Sequence, residues 1–309
     1  MSEIIASPPS VETAVRPRRS LFAALVVEAR PKHWVKNVLL FAGIVFAKQL
    51  TNPVAIGQAL AAFVIFCAVA SSIYYLNDLA DRKADAAHPK KRYRPIAAGE
   101  IPVPLAWAVA LCGIAGSLVA AFLLQPTFGV IVATYVALQF AYTYYLKNQV
   151  LLDVFALGAS FVLRVMAGAF VIAVPVSPWL YVCTVLFSLM LGFAKRRHEL
   201  VLLESGAGSH RKVLEEYSAT LLEEIIAVLT SATVMAYALY TFNAENLPKN
   251  RAMMFTIPFV LYAVFRYLYL VYRKGEGGDP VEALYSDRPL LVCIALWGIA
   301  SIGILYFVP

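Results

Sequence analysis

The sequence predicts an all-α fold, a polytopic membrane bundle of about nine transmembrane helices, and three observations carry that prediction. Hydrophobic residues make up 61% of the 309 and charged residues 15%, with a mean hydropathy of +0.72, against roughly 45 to 50% and 25% in soluble domains. Nine apolar stretches approach or exceed the ~17 residues that a spanning helix needs. The basic residues divide unevenly among the segments between those stretches, as the positive-inside rule requires of a membrane protein. A soluble globule is excluded.

Taken in order, residues 1–19 are polar, hold Pro8, Pro9 and Pro17 and lack the continuous apolar core of a secretion signal. They are expected to form a disordered cytoplasmic tail. Ser20 to Glu28 is apolar but too short to span, and is expected to lie along the interface before Arg30-Pro31-Lys32-His33-Trp34. The chain thus divides into a tail and interfacial segment over 1–29 and a single transmembrane domain over 30–309. Spans are expected at 35–50, 54–77, 104–124, 127–146, 150–173, 177–194, 222–242, 253–272 and 289–308, the first being the shortest. The charged stretch from Ser205 to Glu224 is expected as an amphipathic helix on the cytoplasmic surface.

With the amino terminus in the cytoplasm, 21 of the 26 Lys and Arg residues fall on the inner side. Only Lys48, Lys249 and Arg251 fall outside, while Arg164 and Arg266 lie within spans. The net charge of +7 therefore reports orientation in a plasma membrane and attraction to anionic headgroups, and nucleic acid is not needed to explain it. Cys67, Cys112, Cys183 and Cys293 all sit in apolar stretches without CxxC spacing, so they read as packing residues and argue against a disulfide framework or a zinc site. The sequence has no Walker loop, nucleophile elbow or dinucleotide fingerprint.

The chemistry is carried by Asn77-Asp78-Leu79-Ala80-Asp81-Arg82-Lys83-Ala84-Asp85, where the second span meets a basic loop. Asn77, Asp81 and Asp85 recur every four residues and share a helix face, with Asp78 at its edge. Like charges so placed repel, more steeply in low dielectric, and ask for a cation. Hard oxygen donors with room for phosphate oxygens suit Mg²⁺. The competing reading is a solvated helix end whose acids pair with Arg82, Lys83 and Lys90. Beyond it, the loop His88 to Glu100 is punctuated by Pro89, Pro95 and Gly99 and presents Lys90, Lys91, Arg92 and Arg94, making a clamp for a diphosphate.

Other cations gather on the same predicted side. Lys32 and Lys36 stand one α-helical turn apart, placed to face a phosphate together or to snorkel. Lys147 ends the fourth span and Asp153 opens the fifth. Arg164 lies about three turns into an apolar helix, where a charge costs at least ~2.5 kcal/mol and implies an interior polar cavity, with an anionic ligand favoured as partner. Arg266 poses the same question, with Tyr262, Tyr267 and Tyr269 nearby to seat it. The sixth span ends in Lys195-Arg196-Arg197-His198-Glu199.

The acidic run at 77–85 resembles the first aspartate-rich motif of the UbiA superfamily of intramembrane prenyltransferases. Tyr142-Thr143-Tyr144-Tyr145-Leu146-Lys147, Asp153 and Arg164 are similar to that family's fourth and fifth helices. One departure stands out: where family members carry a second acidic motif, this chain has Lys195 to Glu199. Together with Arg30 to Asn37 and Gly192 to Arg197, that exchange resembles the decaprenyl-phosphate phosphoribosyltransferase branch. The resemblance implies a UbiA-like bundle with a soluble donor, 5-phosphoribosyl 1-diphosphate, and a polyprenyl monophosphate acceptor such as decaprenyl phosphate. It implies Mg²⁺ on the departing diphosphate, a product that feeds arabinan and cell-wall synthesis, and a site opening to the cytoplasm. On that basis Asn77, Asp81 and Asp85 are metal ligands, with Asp78 a further ligand or ribose contact. Lys147, Arg164 and Lys195 contact phosphate, Glu199 orients Lys195 or touches a ribose hydroxyl, and Lys36, Lys91 and Arg92 are secondary phosphate contacts. Membrane lipids surround the bundle, and self-association is left open. Two other readings stay open at this point, an aromatic prenyltransferase using a prenyl diphosphate and a transporter or lipid-phosphate binding protein.

Overall fold

A computed structural model describes residues 19–88, 91–204, 212–244, 247–248, 250–275 and 278–308; the greater part of the expected tail lies outside them. Among the described residues the chain is helical, with no strand. Eight helices are long and apolar enough to cross a bilayer: α3 (Pro53–Ala80), α5 (Val103–Leu124), α6 (Pro126–Tyr144), α7 (Leu152–Val171), α8 (Pro178–Glu204), α9 (Ala219–Asn243), α10 (Ile257–Tyr269) with its flanking turns, and α12 (Arg288–Phe307). Short helices α1 (Leu21–Glu28), α2 (Phe41–Phe46), α4 (Arg82–Ala87) and α11 (Pro280–Ser286) complete the set.

The first expected span is present but broken. Residues Pro31–Leu40 form a 3₁₀ segment that passes into α2. The stretch runs antiparallel to α3: Arg30 meets Asp78 at one end, Trp34 donates to Ser71, and at the other end Ile44 reaches Tyr306 near the close of α12. It is thus a ninth crossing that length and hydropathy undervalue. The tighter winding changes which side chains align, because residues three apart eclipse in a 3₁₀ helix. His33, Lys36 and Leu39 form one ridge and Trp34, Asn37 and Leu40 another. Lys32, expected beside Lys36, is instead exposed.

Glycine allows this broken crossing to lie against α7. A Cβ on Gly168 would stand 1.8 Å from the Leu40 carbonyl oxygen, and one on Gly43 would stand 2.8 Å from backbone atoms of Gly168 and Ala169. Small residues let backbones approach where burial in lipid offers little drive to associate. Residues 219–224 of the expected surface helix belong instead to the start of α9, which Ser218 caps by accepting from Leu221 N–H; 205–211 lie outside the described residues. α1 is docked on the bundle, with Ala24 buried beside Tyr75, Ile96 and Ile101, and Tyr75 donating to the Leu25 carbonyl at 2.6 Å.

Candidate active site

Charged side chains of both signs gather at the end of the bundle where α3 stops. Asp81 ends α3 and starts α4, and the helical hydrogen bonds continue through it, from Asp81 N–H to Asn77 and from Asp85 N–H to Asp81. The four-residue spacing is therefore kept across the junction. Asp78 and Asp85 are buried, while Asp81 and Asn77 are half-buried.

Among the described residues their partners are not those of the competing solvated-end reading. Arg94 donates from one nitrogen to Asp78 at 3.0 Å and to Asp85 at 2.6 Å. Arg30 takes the other Asp78 oxygen at 2.5 Å, Lys147 pairs with Asp81 at 2.8 Å, and Lys91 stands 4.0 Å from Asp85. Thr143 donates to Asn77. Arg82 and Lys83 are exposed, and Lys90 lies outside the described residues. Arg92 turns away, stacking on Tyr93 and donating to its hydroxyl. Burial outweighs Arg94 and pushes the Asp85 carboxyl above its ordinary range. Burial alone would loosen the Arg30 proton, but Asp78 and Glu28 tighten it.

A cation-rich edge lies across from this group. Arg164 is buried and held only by neutral groups among its described contacts: Asn37 at 2.8 Å, the Ser160 carbonyl at 2.6 Å, Tyr135 at 3.0 Å and the faces of Phe66, Tyr135 and Phe161. Such a guanidinium keeps its positive potential for its surroundings. Lys36 lies within electrostatic range of Arg164 and Arg30, and Lys195 within range of Lys36. Lys195 stands 4.0 Å from Glu199, whose closer partner is Arg196 at 2.5 Å. Arg196 is fully buried and also binds Asp153 at 2.5 Å; Tyr217 donates to the second Asp153 oxygen and accepts from Leu151 N–H. This network fastens the end of α8 to the start of α7. Arg266 is seated mainly by Asp287, in a two-pronged pair, with Tyr269 beneath it.

Asn77 and the three aspartates offer only oxygen donors, the right kind for Mg²⁺. Among the described residues, however, no three His, Cys, Asp or Glu side chains converge on one point. Arg94 bridges Asp78 and Asp85 while Lys147 holds Asp81, so the donor chemistry fits the metal while the rotamers fit the ion pairs.

Beside Lys36 opens an apolar cavity of about 180 Å³, walled by Leu39, Phe161, Phe187, Leu191, Leu284 and Ile294 among others, with Lys36 its one charged lining residue. It lies between the broken first crossing, α7, α8, α10, α11 and α12.

The UbiA prenyltransferase family profile matches residues 37–285. The chain belongs to that family. The UbiA fold is seen again in a UbiA homolog from Archaeoglobus fulgidus bound to GPP and Mg²⁺, which superposes with a TM-score of 0.71 at 18% identity over 91% of this chain and 99% of that one. Among relatives, a decaprenyl-phosphate phosphoribosyltransferase of Mycobacterium tuberculosis is 33% identical over 298 residues, 95% of this chain and 98% of its own. One of Corynebacterium glutamicum, with the same name, is 35% identical over 302 residues, 95% and 90% of the two chains.

Sequence reasoning singled out the acids, Lys147 and Arg164, and the structure brings the acids and Lys147 together. It named Arg94 among the cations of a diphosphate clamp but not its pairing with Asp78 and Asp85, and it passed over Arg30 as a binding group, Arg196 as a buried strut, and Asp279. Only the Arg94 position carried a signal, a cation between two loop-forming prolines' reach, and sequence distance concealed its target.

Proposed function

We propose that this UbiA-family chain transfers 5-phosphoribose from 5-phosphoribosyl 1-diphosphate to decaprenyl phosphate or a similar polyprenyl phosphate, releasing diphosphate. The observation that carries the reading is the cation-rich edge of Lys36, Arg164 and Lys195 beside an apolar cavity, at the place where a chain built for two metal-diphosphate motifs would carry more acids. A lipid phosphate is attracted there by its head and accommodated by its tail. Relatives named for this reaction, matched over nearly the whole chain, support it.

The chemistry asks little covalent work of the protein. A phosphate monoester is already anionic near neutral pH, its second pKa being about 6, so no base is needed to activate it. Its oxygen forms a bond to the anomeric carbon as the bond from that carbon to the diphosphate breaks, the electron pair leaving with the diphosphate. Attack from the face opposite the leaving group inverts the centre. The protein's part is to hold two polyanions in line and to offset the charge that develops. Lys36, Arg164 and Lys195 would hold the acceptor phosphate, Lys147, Lys91 and Arg94 would meet the donor, and Asp78 or Glu199 would orient ribose hydroxyls. Asn77, Asp81 and Asp85 would hold Mg²⁺, which supplies neutralisation of the departing diphosphate. With the amino terminus cytoplasmic in a plasma membrane, the site meets its soluble donor from the cytoplasm, and the product would serve arabinan assembly in the cell wall.

The test is transfer of label. Purified protein in detergent is incubated with radiolabelled phosphoribosyl diphosphate, decaprenyl phosphate and Mg²⁺, and lipid-soluble label is expected. Absence of such label together with transfer from geranyl diphosphate to an aromatic acid would assign the chain to aromatic prenylation.

A further inference from the structure

Asp279 comes from the far end of the chain into the middle of the cation-rich edge. Its side chain accepts from Val281 N–H at 2.9 Å and so caps α11. The same carboxylate places one oxygen 3.8 Å from Lys36 Nζ and the other 3.8 Å from His33 Nε2, and it lies within the field of Lys195. Burial would raise its pKa, but Lys36, the Val281 N–H, Lys195 and His33 together hold it below the ordinary carboxylate range, so it is an anion at neutral pH. At 3.8 Å the contact to Lys36 is Coulombic, too long for a hydrogen bond. The preceding residue, Gly278, allows the approach: a Cβ there would stand 2.8 Å from the His198 ring.

The following residues settle what lies next to this carboxylate. Pro280, Val281 and Leu284 line the apolar cavity together with Lys36. A ligand whose hydrocarbon fills that cavity has to bring its polar head to Lys36, where Asp279 already stands.

We propose that Asp279 is a resident counter-ion, which the phosphate of the lipid acceptor replaces as the partner of Lys36, and that this exchange makes the subsite select for phosphates carrying an apolar tail. The inference rests on the reading of the acceptor as a lipid monophosphate. Any phosphate entering here is repelled by Asp279, a diphosphate more than a monoester because it carries more negative charge. A lipid offsets it by burying its tail, whereas inorganic phosphate, inorganic diphosphate or the soluble donor has nothing to offset it with. A fixed carboxylate therefore discriminates between the two substrates, rejecting the tail-less one through an unfavourable contact.

Asp279→Asn is a clean probe, because asparagine caps a helix as well as aspartate does and removes only the charge. Binding of farnesyl monophosphate and of inorganic diphosphate is measured by calorimetry on wild-type and Asp279→Asn protein in nanodiscs, with Lys36→Met in each background. Inorganic diphosphate is expected to bind the Asn variant roughly tenfold more tightly, the scale of one partly buried charge. Farnesyl monophosphate is expected to gain by a smaller factor, and Lys36→Met is expected to abolish both gains. Equal or weaker binding of the two probes by Asp279→Asn, a gain for farnesyl monophosphate as large as that for diphosphate, or a gain that survives Lys36→Met, overturns the proposal. These are binding measurements, so a wild-type protein that transfers no phosphoribose would overturn the proposed reaction while leaving this comparison to be decided by its own result.

Discussion

Arg94 holds two buried carboxylates at once, Asp78 and Asp85, which offsets the repulsion among three aspartates within nine residues. Each acid has a dedicated cation in Arg30, Arg94 or Lys147. Asp81→Asn and Asp85→Asn should each abolish turnover, while circular dichroism and elution volume stay those of the wild type; full rates in either variant would remove that residue from the metal set. Arg196 has a different role. It is fully buried between Asp153 and Glu199, and cutting it to alanine strands a buried carboxylate. Arg196→Ala should cost roughly 3 to 5 kcal/mol, read as a fall in thermal midpoint, and adding Asp153→Asn should restore part of it. How much of the site was legible follows from these residues. The acids and Lys147 could be found because their spacing and their place at helix ends are local properties. Arg94 could not be matched to Asp78 because that pairing depends on how the 88–100 loop folds back, and Arg196 was legible as a charge but not as an inward-facing one, since that depends on the rotation of α8 against α7.

At the scale of elements, two short pieces do more than their length suggests. α1 is bound to the rest through Glu28, which is buried and has one oxygen near Ile96 N–H. Burial, with the Asp78 carboxylate adding to it, pushes the Glu28 pKa from 4.5 up to about 8. The folded form thus takes up a proton that the unfolded form has lost. Stability from this group is complete below pH 4.5 and is lost as pH rises through about 8. Protection of α1 amides from hydrogen exchange should fall between pH 5 and pH 8.5, and Glu28→Gln, which mimics the protonated acid, should flatten that dependence. An equal slope in the variant would locate the titration elsewhere. The broken first crossing depends on Gly168. A methyl group there overlaps the Leu40 carbonyl, so Gly168→Ala should cost about 1 to 3 kcal/mol and push the 3₁₀ segment away from α7. Asn37 would move off Arg164 and Lys36 off the cavity mouth, raising the KM for the lipid acceptor more than that for the soluble donor. The fold of the eight regular spans could be read from hydropathy because an isolated helix in lipid must be apolar along its length. The same reading reached the first crossing only as the shortest stretch, 35–50, because Lys36 and Asn37 interrupt its apolar run, and nothing local announced its 3₁₀ winding.

The whole molecule has one charged end. Asp78, Asp279, Lys147 and Arg196 all meet there, on segments that the distribution of Lys and Arg assigns to the cytoplasm, while the turn after α2 and the close of α12 meet at the other end through Tyr306. The proposed chemistry and the expected topology both rest on that polarity, because the proposed soluble donor would reach only one face. Thr51, just before α3, and Arg92, in the loop beyond α4, are both exposed, which makes them paired reporters once Cys67, Cys112, Cys183 and Cys293 have been replaced by alanine. In intact cells a membrane-impermeant maleimide should label Thr51→Cys and spare Arg92→Cys, and permeabilisation should expose the second. The reverse pattern would put the charged end outside, where the 21 inner cations would violate the positive-inside rule and the donor would have no access from the cytoplasm.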